Sequence, residues 1–298
     1  MREQFIPKSF QQKSLEMIER ANTIIADYQL RGFILTLRQL YYQFVARLFL
    51  ENSQQSYKRL GSVMNDARLA GLVDWEAIED RTRYLRTHAA WSDPADIIRS
   101  AAADYREDIW EGQRYRPEVW IEKDALLGVV EGVCREFRVP YFACRGNNSQ
   151  SEQYKAGKRY AECIEAGIEP IVLHLGDHDP NGLDMTRDNH ERLAMFARRP
   201  IDLRRLALNF DQVEQYGPPP NPAKETDSRF NGYVSKYGNE CWELDALDPT
   251  VIADLIRREI EEMIDREPWN AALASEERNR SILAKASENW AMVEHSLR

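Results

Sequence analysis

The chain has 298 residues, of which 43% are hydrophobic and 30% charged, and its formal net charge is −9. That is enough apolar material for two ordinary domain cores, yet no apolar run approaches the ~20 residues of a membrane span, and MREQFIPKSFQQK lacks the apolar centre of a signal peptide. The four cysteines form no CxxC pair and the five histidines show no ligand spacing, so a disulfide framework and a zinc site are disfavoured and a cytoplasmic protein without a membrane partner is expected.

The first third reads as helical. Phe10, Leu15, Ile18, Ala21, Ile25 and Tyr28 recur at the spacing of an amphipathic helix over Ser9–Tyr28. Thr36 and Gln39 form a capping-box pattern that opens TLRQLYYQFVARLF, and SQQSYKRLGSVMNDARLAG predicts a third helix ending at Gly71. LVDWEAIEDRTRYLR follows as a short mixed segment with the character of a wing. Three short helices and a wing predict a winged helix-turn-helix over residues 1–112.

The net charge argues against a nucleic-acid partner only if it is evenly spread, and it is not. Residues 1–116 carry 17 Lys+Arg against 16 Asp+Glu, and the remainder 23 against 33. The acidity belongs to the second part, leaving Arg31, Arg38, Arg47, Arg59, Arg68, Arg81, Arg83 and Arg86 free to form a basic stripe.

From Pro117 the pattern changes to alternation. PEVWIEK, VPYFACRG and IEPIVLHLG predict strands, and DALLGVVEGVCREF, SEQYKAGKRYAECIEAG and GLDMTRDNHERLAMFARR the helices that follow them. Such βαβ units imply a parallel sheet flanked by helices over residues 113–298, so the fold class is α/β. IDLRRLALNF and CWELDALD are further strand candidates, GPPPNPAK an extended loop, and PTVIADLIRREIEEMIDR a helix.

Parallel sheets carry their functional loops beyond the carboxyl ends of their strands. Glu122 closes the first strand, Arg145 follows the second, and Asp177 and Asp179 follow the third, so all converge on one sheet edge. Three carboxylates held close repel one another, and a hard cation such as Mg²⁺ relieves that through oxygen ligands. The alternative for DHDPNG is a turn whose aspartates accept hydrogen bonds from their own backbone. Glu243 and Asp245 alternate on the predicted last strand and either extend the acidic site or, as the simpler reading, are solvated; Lys123 is expected on the opposite strand face from Glu122 unless the strand has already ended there, and His178 is expected to face outward.

In TLRQLYYQFVARLF, Leu37, Leu40, Tyr41, Phe44, Val45 and Leu48 share one apolar face, which makes Tyr41 core. Tyr42 lies about 100° further round, beside Arg38 one turn earlier. An exposed tyrosine next to a guanidinium suits attack on a phosphodiester, because the cation favours phenolate and grips phosphate.

LRQLYYQFV, VWIEKDAL, HLGDHDPNGLDM and WELDALDP together resemble the A subunit of type IIB DNA topoisomerases (topoisomerase VI), its relative the meiotic double-strand-break transesterase, and most closely the single-subunit "mini-A" relatives of mobile elements. That family joins a winged-helix domain bearing a catalytic tyrosine to a Toprim domain. The resemblance implies Tyr42 as nucleophile, Arg38 as its support, Glu122 as acid/base or ligand, and Glu122, Asp177 and Asp179 as the Mg²⁺ set. It also implies double-stranded DNA as partner, a homodimer in which the tyrosine of one protomer serves the metal of the other, and double-strand cleavage leaving 5′-phosphotyrosyl ends. Arg81 and Arg83 in the wing and Arg145 on the sheet edge are the expected DNA contacts. The chain departs from the pattern where RGNNSQSEQY replaces a Gly-x-Pro element. It is also shorter than a full A subunit and has no Gly-rich ATPase motif, so ATP-driven strand passage would need a separate B-type subunit. Two other outcomes remain open at this point: a Toprim nuclease using an activated water, and a catalytically inert DNA-binding protein.

Overall fold

The computed structural model describes residues 2–79, 88, 90–144 and 148–297. It opens with helix α1 (Gln12–Leu30), a two-residue strand β1 (Leu35–Thr36), helices α2 (Leu37–Ala46) and α3 (Gln54–Leu69), and strand β2 (Ile78–Glu79). The capping box at α2 forms as its residues require: Gln39 N donates to Thr36 Oγ1, and Thr36 N donates to Gln39 Oε1 at 2.8 Å. Ser53 caps α3 by accepting from Ser56 N at its side-chain oxygen, and Gly71 supplies the left-handed turn, φ +73°, after its end. Ile18, Ala21, Ile25 and Tyr28 of α1 close on Leu40 and Phe44 of α2 and Leu60 and Met64 of α3 to form a first core. The described part of the expected wing is β2, which pairs in parallel with β1. Residues 80–86 of the wing, with Arg81, Arg83 and Arg86, and Arg145 of the sheet edge lie outside the described residues.

Helix α4 (Pro94–Asp104) then leads to a run of alternating elements: β3 (Tyr115–Ile121), α5 (Leu127–Phe137), β4 (Tyr141–Ala143), α6 (Gln150–Glu165), β5 (Glu169–Leu175), α7 (Pro180–Ala197) and β6 (Asp202–Ala207). The four strands form one parallel sheet in the order β4-β3-β5-β6. Alternation of side chains divides its faces. Val119 and Ile121 of β3 and Ile171, Leu173 and Leu175 of β5 point into a core shared with α5, whereas Trp120 and Val172 point toward α6 and α7. Both faces being covered, the strands read as nearly continuous apolar runs.

The remaining elements are α8 (Phe210–Tyr216), β7 (Asn221–Pro222), α9 (Phe230–Tyr237), β8 (Glu240–Cys241), α10 (Pro249–Met263), α11 (Arg266–Glu288) and α12 (Trp290–Leu297). Ile252, Ile256 and Ile260 of α10 complete the core over α5. IDLRRLALNF forms β6 as its pattern predicts. CWELDALD does not extend the sheet: β8 pairs only with β7, in the Pro-rich loop, and a 3₁₀ turn follows at Leu244–Ala246. Helix α4, on the N-terminal side of the expected boundary at residue 112, packs against α11 on its C-terminal side. All four cysteines are free, three of them buried. No helix among the described residues is long and apolar enough to cross a membrane.

Candidate active site

The strand order reverses between β3 and β5, since β3 leads to β4 on one side and the chain then returns to lay β5 on the other. In open α/β sheets the crevice at such a reversal, beyond the carboxyl ends, is where ligands bind. Glu122 follows β3 directly, and its backbone N extends the ladder by donating to Leu175 O at 2.9 Å. Asp177 and Asp179 follow β5. A cavity of about 740 Å³ opens here, lined by seven carboxylates and three basic side chains among the described residues. That imbalance makes it attractive to cations.

The turn and the acidic site are the same object. Asp179 is the N-cap of α7, its Oδ1 accepting from Gly182 N at 2.6 Å, and Pro180 takes the first helical position. Gly182 is required by close approach, because a Cβ there would stand 2.2 Å from Asp177 O. Glu122 Oε2 accepts from Asp177 N at 2.8 Å, and Asp177 Oδ1 accepts from Leu244 N at 2.8 Å. Beneath the loop, the buried Arg205 guanidinium donates to the carbonyl oxygens of Gly176, Asp177, Gly182 and Leu208. Backbone and Arg205 together hold the two aspartates on a fixed loop.

The cation nearest these acids is Lys123. The strand ends at Ile121 and the chain turns into a 3₁₀ turn at Asp124–Leu126, so Lys123 enters the cavity instead of pointing away from it as the strand alternation predicts. Its Nζ lies 3.0 Å from Asp177 Oδ2, 2.9 Å from Glu243 Oε2 and 2.9 Å from Asp245 Oδ1. Glu243 and Asp245 are therefore not solvated strand residues; the 3₁₀ turn aims both inward, and the Asp245 side chain is fully buried. Among the described residues no three His, Cys, Asp or Glu side chains already surround a single point as a metal set would. The oxygen-only character of the donors nevertheless fits a hard cation, and the ammonium of Lys123 stands where such a charge is stabilised.

Burial sets the protonation behaviour of the cluster. It pushes Asp177 up to about 7 against the pull of Lys123, and raises Glu122 and Asp245 as well. Glu243 goes the other way: burial raises it, but the ammonium of Lys123 and the guanidinium of Arg38 prevail and hold it down at about 2. Lys123 is stabilised in its charged form, since the three carboxylates outweigh its desolvation.

Helix α2 brings Arg38 to the same cavity. Its Nη2 lies 3.2 Å from Glu243 Oε2 and its Nε 3.1 Å from Asp245 Oδ2. Tyr42 is not exposed as its position on the helical wheel predicts; it is 2% accessible, and Tyr41 is buried too. The reason is tertiary: the segment around Ala246 packs onto α2 and covers its second face. Tyr41 is anchored by Ser53 N, which donates to its hydroxyl at 2.7 Å, and by Asn52. Tyr42 meets Asn221 and Arg38 at its hydroxyl. Burial, followed by Asp245 and Glu243, raises its pKa well above the ordinary tyrosine value despite Arg38, so the expected phenolate is not favoured in this arrangement.

Other expectations are corrected by packing. His178 does not face outward but is buried among Phe210, Tyr233, Tyr237 and Trp242, with Nδ1 2.9 Å from Tyr233 Oη. Of the arginines expected to form a stripe, Arg31 pairs with Asp27, Arg38 with the acids, Arg47 with Gln43, and Arg68 donates to Ile78 O, while Arg81, Arg83 and Arg86 lie outside the described residues. Of the site residues read from the sequence, Arg38, Glu122, Asp177 and Asp179 share one cavity, and Tyr42 lies against it. Glu243 and Asp245 take the less favoured of the two places the sequence leaves open to them, and Lys123 leaves the strand pattern where the apolar run ends at Ile121. Comparison with models of protein families, with curated proteins and with solved structures gave no match.

Proposed function

We propose that this chain is a Mg²⁺-dependent DNA-cleaving transesterase of the topoisomerase VI A-subunit kind, with the helical N-terminal part acting as a winged-helix domain and the parallel-sheet part as a Toprim domain. The observation that carries the reading is the single cavity in which Arg38, from the tyrosine helix, meets Glu122, Asp177 and Asp179 from the sheet edge. In the reaction, Tyr42 Oη bonds to phosphorus while the bond from phosphorus to the 3′ oxygen breaks. The tyrosine gives up its proton and the leaving 3′ oxygen gains one, with Glu122 as the acid/base group. A divalent cation held by Glu122, Asp177 and Asp179 would neutralise charge developing on the phosphate. Arg38 adds a fixed positive charge from the other side. Double-stranded DNA is the substrate and a homodimer the working form; any coupling to ATP belongs to a separate subunit.

The test is a denaturing gel after incubation with supercoiled DNA and Mg²⁺. Wild type and Tyr41→Phe are expected to give protein-linked DNA ends, and Tyr42→Phe none. A Tyr42→Phe protein that still makes linked ends overturns the assignment. Mixing Tyr42→Phe with Asp177→Ala protomers distinguishes attack across the dimer, which restores some cleavage, from attack within one chain, which does not. A second reading is hydrolysis by an activated water at the same acids, and the burial of Tyr42 is the observation in its favour. It predicts free ends from Tyr42→Phe and no cleavage by Asp177→Ala.

A further inference from the structure

Both carboxylate oxygens of Asp177 are engaged. Its Oδ1 is held by Leu244 N and its Oδ2 by the Lys123 ammonium. Asp179 and Glu122 differ: each has one oxygen engaged by a backbone N–H, and neither is paired with Lys123. A divalent cation binding through Asp177 Oδ2, the oxygen on the cavity's lysine side, takes it from the lysine or shares it with an ammonium whose Nζ is 3.0 Å from that oxygen, against like-charge repulsion.

We propose that Lys123 is a tethered cation that competes with the metal for Asp177, and that metal entry transfers Asp177 from the ammonium to the metal and releases Lys123 toward the cavity mouth. The inference rests on the metal reading given above. Lys123 is well placed for both positions. It follows the end of β3 and caps the 3₁₀ turn Asp124–Leu126, and its side chain retains 22% of its exposure, so a path outward exists. Glu243, the most exposed of its three acidic partners, remains available to the ammonium as it moves outward after Asp177 is withdrawn. A lysine doing this keeps the acids neutralised and the loop ordered before metal arrives, which matters because unpaired buried carboxylates are costly. It is a positioning residue rather than a catalytic one: it touches the acids, and acts on the reaction through them.

Mn²⁺ serves as the probe, with bound and free ion separated by electron paramagnetic resonance. Lys123→Met is expected to bind Mn²⁺ at least about tenfold more tightly than wild type, as removal of a like charge in contact with a ligand implies. Arg38→Met removes a charge from the same cavity that pairs with Glu243 and Asp245 but does not contact Asp177. Its gain should be clearly smaller. In wild type, where no variant has to fold, acetylation of Lys123 by an amine reagent, read by mass spectrometry, should accelerate when Mn²⁺ is added. Lys123→Met binding no more tightly than wild type, equal gains in the two variants, or Mn²⁺ leaving acetylation of Lys123 unchanged overturns the inference. If Asp177→Asn still abolishes wild-type Mn²⁺ binding, the metal reading survives that outcome. Absence of Mn²⁺ binding by both wild type and Lys123→Met sinks the metal reading and this inference together.

Discussion

Tyr41 and Tyr42 are neighbours with different partners, and single residues elsewhere in the chain owe their properties to burial in the same way. His174, at the end of β5, is fully buried, with Nδ1 3.0 Å from Thr186 Oγ1 and no hydrogen-bond partner for Nε2 among the described residues. Burial and the nearby Arg205 push its pKa down to about 3, so the fold requires the neutral ring. Below the ordinary value of 6.5, the unfolded chain takes up a proton that the folded chain refuses, and stability is lost as pH falls from 6.5 toward 3. Asp177 has the opposite sign: its raised folded pKa makes the folded chain the better proton acceptor between about 7 and 3.8, which stabilises it as pH falls. Comparison with a His174→Gln variant separates the two. Between pH 6.5 and 5, urea denaturation should show wild type losing about 2 kcal/mol more than the variant, from about 1.4 kcal/mol per unit. Equal losses in both proteins would exclude His174 as the source.

At the scale of elements, the strand–turn–helix around HLGDHDPNGLDM is the most constrained piece of the fold. The sequence shows a turn here whose aspartates accept from their own backbone, and Asp179 does so as the cap of α7; that the helix starts at Pro180 and that Gly182 is needed for close approach to Asp177 O come from the fold. Gly182→Ala should force Asp177 O away from a Cβ 2.2 Å distant, at a cost of about 1–3 kcal/mol. Gly132→Ala, in the middle of α5, meets nothing within 4 Å and should instead stabilise by about 0.5–1 kcal/mol, because alanine restricts the unfolded chain. Chemical denaturation of both variants checks the pair; a neutral Gly182→Ala would show that the loop yields more easily than its packing indicates. The same local logic failed at WELDAL. Alternation of Trp242, Leu244 and Ala246 with acids fits a strand, but β8 ends at Cys241 and the 3₁₀ turn turns both acids inward. Whether a short apolar alternation becomes a strand depends on finding an edge to pair with, and β6, not this segment, took that place.

Across the whole molecule, two cores are joined by a short list of polar contacts. Tyr28 Oη donates to Asp248 Oδ2 at 2.6 Å, Asn52 Nδ2 donates to Pro220 O at 2.8 Å, and Arg38 spans to Glu243 and Asp245. Ala246, packed into the N-terminal core, and Phe33, which packs against both cores, are apolar members of this junction. Tyr28→Phe removes the donor from Asp248 and should cost about 1–2 kcal/mol. Because the lost bond links the two cores, calorimetry should show the N-terminal transition moving to lower temperature ahead of the other. A single transition, shifted as a whole, would mean that the remaining contacts couple the cores without it.

The residues alone determined that the chain builds an α/β unit with a parallel sheet, that Thr36 caps α2, and that Glu122, Asp177 and Asp179 stand beyond strand ends on one edge. Those follow from periodicity, capping and the direction of parallel strands, which are properties of contiguous stretches. Only the tertiary structure decided that Lys123 enters the acid cluster, that Glu243 and Asp245 join it, that His178 is buried among aromatic rings, and that Tyr42 is covered. Each of these depends on which distant segment packs over a side chain. HLGDHDPNGLDM therefore announced its acids locally, while the cation that meets them came from a position 54 residues earlier, set by where one strand stopped.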